Sequence, residues 1–166
     1  MFYEEILRSM QKYGVRYLIM GGVAVNLHGV PRMTADLDIT VDLTAENVDA
    51  LLDALEEAGL KLSLPHDPHD LADPEERSRW QEEKHLDALT FQSAGSEAPY
   101  REVDIVLEQQ LDFGEMYEER VELQADDIKI SLISLPHLIE LKQAIGRKQD
   151  LADVESLKKA AAEEGE

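Results

Sequence analysis

Apolar and polar positions along this chain follow two periods, and the switches between them mark out its elements. Phe2, Ile6, Leu7 and Met10 recur at helical spacing, which predicts an amphipathic helix over 2–13 that Gly14 ends. The apolar run Tyr17-Leu18-Ile19-Met20 predicts a short strand. Gly21-Gly22 then reads as a turn, 23–28 as a short helix and Gly29-Val30-Pro31 as a loop. Strict alternation returns over 36–41 and predicts a strand. Thr44 is the expected N-cap of a helix over 45–58, with Gly59 as its stop. Another strand is expected over 60–64.

Residues 65–84 carry little periodicity and read as a loop, then a short helix with Pro74 in its first turn. Strands are expected over 86–91 and 101–107, joined by a hairpin-like connection over 93–99. Short strands over 121–123 and 128–132 precede two helices, 135–145 and 149–162, split at Gly146. Strands and helices interleave irregularly. That order predicts an α+β (or α/β) domain: a small mixed β-sheet flanked by helices, with a helical C-terminal cap over 135–162. The 166 residues read as a single domain, 1–166.

Composition narrows the function classes. The chain has no cysteine, which removes disulfides, thiolate metal sites and cysteine nucleophiles and fits a reducing, cytoplasmic setting. No apolar run is long enough to span a bilayer, and Met1-Phe2-Tyr3-Glu4-Glu5 lacks the basic and apolar regions of a signal peptide, so no membrane partner is expected. The formal net charge of −20 repels a nucleic-acid backbone at long range. A nucleic-acid substrate would need a local basic patch, drawn from Arg8, Lys12, Arg16, Arg32, Lys142, Arg147 and Lys148.

Two carboxylates change the picture most. Asp36 and Asp38 alternate with Leu37 and Ile39, so on a strand both project from one face while the apolar residues fill the other. Asp104 repeats the pattern between Val103 and Ile105. Close like charges raise each other's pKa unless a cation neutralises them. If the two strands pair side by side, the three carboxylates make a hard, oxygen-only pocket suited to Mg²⁺ carrying a nucleoside triphosphate, with room for a two-metal site. Upstream, Gly21-Gly22 opens a helix after a strand, where backbone N–H groups favour phosphate.

This set resembles the nucleotidyltransferase superfamily that includes DNA polymerase beta. Its hallmark is an apolar residue, Gly and then Gly or Ser, a helix and loop, Asp-x-Asp, and a later strand Asp. Here these are Met20-Gly21-Gly22, Asp36-Leu37-Asp38 and Asp104. The stretch from Gly21 to Asp38 is similar to that of small antibiotic nucleotidyltransferases and of AbiEii-like toxins of bacterial toxin–antitoxin systems. The phrase Lys142-Gln143-Ala144-Ile145-Gly146-Arg147-Lys148-Gln149-Asp150-Leu151-Ala152-Asp153 is similar to a late motif of the toxin group. Gly22 stands where many members have Ser, which leaves phosphate contact to the backbone.

The resemblance implies a nucleotidyltransferase fold and catalytic, metal-binding Asp36, Asp38 and Asp104, with Asp104 completing the metal site or acting as base on the acceptor. It implies Gly21 and Gly22 at the phosphates, with Arg32 and Thr34 flanking the Asp pair. Lys142 and Arg147 would reach phosphate or acceptor, oriented by Asp150 and Asp153. The reaction implied is transfer of NMP from an NTP such as ATP to an acceptor hydroxyl on RNA, protein or a small molecule, and the toxin-group likeness implies a cognate protein partner. The alternative is a catalytically inactive, antitoxin-like binding or regulatory protein on the same fold.

Other signals carry less. His66-Asp67 and His69-Asp70 read as a polar loop rather than a zinc site, His28 and His137 as packing or capping residues, and Trp80 as the anchor of the short helix.

Overall fold

The computed structural model describes residues 2–34, 36–93, 101–107 and 110–164. Its elements run α1 (Phe2–Lys12), β1 (Tyr17–Met20), α2 (Gly21–Leu27), β2 (Leu37–Val41), α3 (Ala45–Glu57), β3 (Leu60–Leu62), a 3₁₀ turn (Pro68–Ala72), α4 (Pro74–Lys84), β4 (Ala88–Ser93) and β5 (Glu102–Val106). They continue with α5 (Phe113–Glu118), β6 (Val121–Ala125), β7 (Ile128–Leu132), α6 (Leu135–Ile145) and α7 (Lys148–Glu164). The strands form one mixed sheet in the order β3-β4-β5-β2-β1-β7-β6. β2 runs parallel to β5 and antiparallel to β1, and β1 runs parallel to β7. The architecture is the α+β arrangement expected from the sequence, a mixed sheet flanked by helices, with α6 and α7 packed on each other as the C-terminal helical cap.

Alternation in the sequence becomes alternation in burial. Leu37, Ile39 and Val41 of β2 are fully buried, as are Val103 and Ile105 of β5, while Asp38 and Asp104 project from the opposite face. On the other side of the core, Ile6 and Met10 of α1 pack with Leu51 and Leu55 of α3. Ser9 of α1 donates to the Ala54 carbonyl at 2.7 Å, which closes the contact between the two helices. Thr44 caps α3 by accepting from the Asn47 N–H, and Gly59 follows its end at φ +80°.

Several boundaries differ from the expectations. Asp36 lies just before β2 rather than in it. α2 begins at Gly21 itself, so the glycine pair is the first turn of the helix. Two short helical elements had no sequence expectation. In the 3₁₀ turn, Asp67 accepts from the His69 N–H at 2.9 Å; before α5, Asp112 accepts from the Glu115 N–H at 3.0 Å. Both are N-caps on segments too short to show a period. The connection expected over 93–99 falls, apart from Ser93, outside the described residues.

Trp80 is 2% exposed and anchors α4, so it offers no face for stacking a base. His28 Nε2 lies 2.8 Å from the Ile133 carbonyl oxygen, and the His137 ring meets the Ser134 hydroxyl at 3.0 Å; both are structural. His69 is spent on Asp67 in the loop.

Candidate functional site

Sheet register brings the carboxylates together. Asp38 pairs with Asp104 across β2 and β5, Met20 pairs with Asp38, and Thr90 pairs with Asp104. One row across the sheet therefore reads Thr90, Asp104, Asp38, Met20. The Thr90 hydroxyl donates to Asp104 Oδ1 at 2.7 Å. Asp36, Glu102 and Asp104 each offer a carboxylate oxygen within 4.8 Å of the other two. Glu102 was absent from the sequence expectation. It shares a strand face with Asp104 by the i, i+2 rule, but only the Leu37–Val103 register sets it beside Asp36.

Electrostatics follow from this crowding. Burial first, then the charges of Asp104 and Asp36, push the Asp38 carboxyl up to about 7, against a smaller opposing pull from Lys142. Asp104 is also raised, by burial first, with Thr90 and Asp38 hydrogen bonds working the other way. The Tyr3 phenol of α1 is raised by burial and by Asp36 and Asp38, which places it within their field. Sequence alone gave no signal for Tyr3 or Thr90 at this site.

The glycine turn is fitted to the aspartates. Gly21 sits at φ +65°, and a Cβ there would collide with the Asp38 side chain, 2.9 Å from its Cβ. A Cβ at Gly22 would lie 2.9 Å from Thr34 Oγ1 and 3.0 Å from Thr34 Cβ. The threonine thus fills the space that a side chain at 22 would need. Its hydroxyl donates to the Asp36 carbonyl at 3.2 Å, so it holds the backbone of Asp36 rather than its carboxylate. Met20, the residue before α2, provides no side-chain cap, which leaves that helix start open.

The late basic residues reach the site through acids. Lys142 is 6% exposed, and its Nζ donates to Asp153 at 2.9 Å and Asp150 at 3.4 Å. Arg32 donates to the same Asp153 oxygen at 2.8 Å, so one carboxylate ties the loop before Asp36 to α6 and α7. Arg147 donates from Nε to Asp150 at 2.7 Å, and its side chain is otherwise 75% exposed. Burial works to raise Asp150, but Arg147 and Lys142 outweigh it and hold its carboxyl low. By contrast, Arg8, Lys12 and Arg16 pair with Asp127, Glu57 and Asp42, so the N-terminal basic candidates are spent on surface ion pairs.

A cleft of about 650 Å³ joins these parts. Its lining includes Gly21, Asp36, Asp38 and Asp104 together with Lys142 and Arg147. The donor set is all hard oxygen, and burial together with the Asp104 and Asp36 charges disfavours the ionised form of Asp38. Both properties fit a divalent cation.

A family model described as "Nucleotidyltransferase of unknown function (DUF6036)" matches residues 2–160. No curated protein sequence matches. Among solved structures, the fold is similar to lincosamide antibiotic adenylyltransferase LnuA, lincomycin-bound, at 20% identity and TM-score 0.57, covering 95% of this chain and 94% of that one. It is also similar to an antigenic nucleotidyltransferase-like protein from Paracoccidioides brasiliensis, at 18% identity and TM-score 0.53, covering 91% of this chain and 71% of that one.

Proposed function

The chain belongs to the DUF6036 nucleotidyltransferase family, and from that premise we propose that it transfers NMP from an NTP to an acceptor hydroxyl with Mg²⁺ as cofactor. The observation that carries the reading is the Asp38–Asp104 register, which sets two carboxylates side by side with Asp36 and Glu102 within reach. Asp36, Asp38 and Asp104 are the proposed ligands. Mg²⁺ would neutralise them and offset the charge on the triphosphate.

In this reading the acceptor oxygen attacks the α-phosphorus in line. The new O–P bond forms as the Pα–O–Pβ bond breaks, and pyrophosphate leaves. Asp104 takes the hydroxyl proton. Thr90 donates to its Oδ1 and fixes its orientation. Gly21 and Gly22 let the triphosphate approach the backbone. Lys142 commits two of its three donors to Asp150 and Asp153 and keeps the third for a phosphate oxygen. Arg147 adds an exposed guanidinium at the rim. Arg32 acts through Asp153 and Thr34 through the Asp36 backbone, so both are positioning residues. Catalysis then rests on positioning and electrostatics.

The acceptor is RNA, protein or a small molecule; the charge of −20 and the spent N-terminal cations favour the latter two. Likeness of the Lys142–Asp153 phrase to the toxin group supports a cytoplasmic toxin–antitoxin component with a cognate protein partner. Among the described residues, no helix is long and apolar enough to cross a membrane. The test is incubation with α-³²P-labelled NTPs, Mg²⁺ and cell extract. The reading expects a labelled acceptor that the Asp36→Ala/Asp38→Ala variant fails to produce. Equal labelling by both proteins would refute it.

A further inference from the structure

Apolar residues enter the cleft lining from both the sheet and α6, alongside Asp87 and Gln110. On the sheet, the Thr90–Asp104 row is polar, and the next row on that face is the register pair Ala88–Val106. Two residues along a strand is about 7 Å. On α6, Lys142 stands at the acidic end, and Leu138, Leu141 and Ile145 lie within one turn of it on the same helical face. All five apolar residues line the cleft. Leu138 and Leu141 are buried in the core, but Ile145 is 44% exposed, a large apolar side chain at the mouth of a charged site. Core packing does not account for its position.

We propose that this slot, between Ala88–Val106 and Ile145, holds the nucleobase of the NTP. The inference rests on the nucleotidyltransferase reading and extends it to the part of the substrate distant from the chemistry. The cleft lining combines carboxylates suited to a metal-bound phosphate, Lys142 of α6, Arg147 between α6 and α7, and apolar residues one row along the sheet and within one turn of Lys142. A nucleotide carries that set of chemistry: anionic chain, short sugar spacer, flat ring. The contact is made by aliphatic side chains, so it recognises a ring face rather than the hydrogen-bonding edge of one base. An acceptor ring in the same slot is the competing occupant, and the test separates the two.

The test is calorimetric titration of the full chain, in Mg²⁺, with ATP and separately with inorganic tripolyphosphate, for the wild type and Ile145→Ser. Ile145 is exposed, so the substitution leaves the core intact, and a thermal melt verifies folding. The expected result is about fivefold weaker ATP binding with tripolyphosphate unchanged. Equal weakening of both ligands, or no change in ATP affinity, overturns the proposal. So does unchanged ATP affinity combined with a raised acceptor KM, which assigns the slot to the acceptor. If wild-type protein binds neither ligand, the nucleotidyltransferase reading itself fails and the slot assignment falls with it.

Discussion

Asp38 of β2 stands directly opposite Asp104 of β5, and each carboxyl shifts the titration of the other. Asp38 holds the proton of this pair up to about pH 7, whereas an ordinary aspartate loses it near 3.8. Its contribution to stability is therefore fully present below about pH 4 and lost as pH rises through 7. In metal-free protein, Asp38→Asn should melt higher than wild type at pH 8, by roughly 2 kcal/mol, with the gap narrowing through pH 5 and closing near pH 4. Thermal melts of both proteins in EDTA across that range check it. A gap that does not change with pH would show that Asp38 ionises normally.

Mg²⁺ bound as proposed would displace the Asp38 proton. Binding at pH 6 should release about one proton and tighten as pH rises through 7, then level off. Calorimetry in two buffers of different ionisation enthalpy reads the proton count directly. Binding with no proton release at pH 6 would contradict the assignment of Asp38 as a ligand.

Gly21→Ala places a methyl against Asp38 at a positive φ, and should cost about 1–3 kcal/mol and abolish NMP transfer. Gly22→Ser crowds the Thr34 side chain, with Arg32 at ordinary contact distance. It should destabilise by about 1–2 kcal/mol, and adding Thr34→Ala should restore most of that. A double-mutant cycle of melting temperatures measures the coupling; additive effects would mean that Thr34 does not fill the space at 22.

Asp153 joins Lys142, Arg32 and Gln149. Removing it by Asp153→Ala leaves a buried lysine with a weaker partner and frees the loop before Asp36. A loss of about 3 kcal/mol is expected in urea unfolding. Exchange protection should fall around 30–36 as well as in α6. Loss of protection in α6 alone would show that Asp153 does not hold the loop.

Much of this site was legible because it depends on local spacing. Asp36-Leu37-Asp38 announces one acidic face and one apolar face, and Gly21-Gly22 announces a tight helix start. What spacing could not give is register. Glu102 joins the cluster only because Leu37 pairs with Val103, and Thr90 reaches Asp104 only because β4 pairs antiparallel with β5. Burial was equally hidden. Lys142 reads in sequence as a phosphate-reaching residue oriented by Asp150 and Asp153, and those contacts form, but its enclosure to 6% exposure had no sequence signal. The short α5 was missed because its cap, Asp112, precedes only six helical residues.

The central claim is that the Asp pair holds the metal that carries the triphosphate. Titration of ATP into the wild type and into Asp36→Ala/Asp38→Ala, each with Mg²⁺ and with EDTA, tests it most directly. The account expects ATP binding by the wild type only in Mg²⁺, and at least tenfold weaker binding by the variant, a difference of about 1.4 kcal/mol or more. Equal affinity in both proteins, or wild-type binding that ignores EDTA, would contradict it.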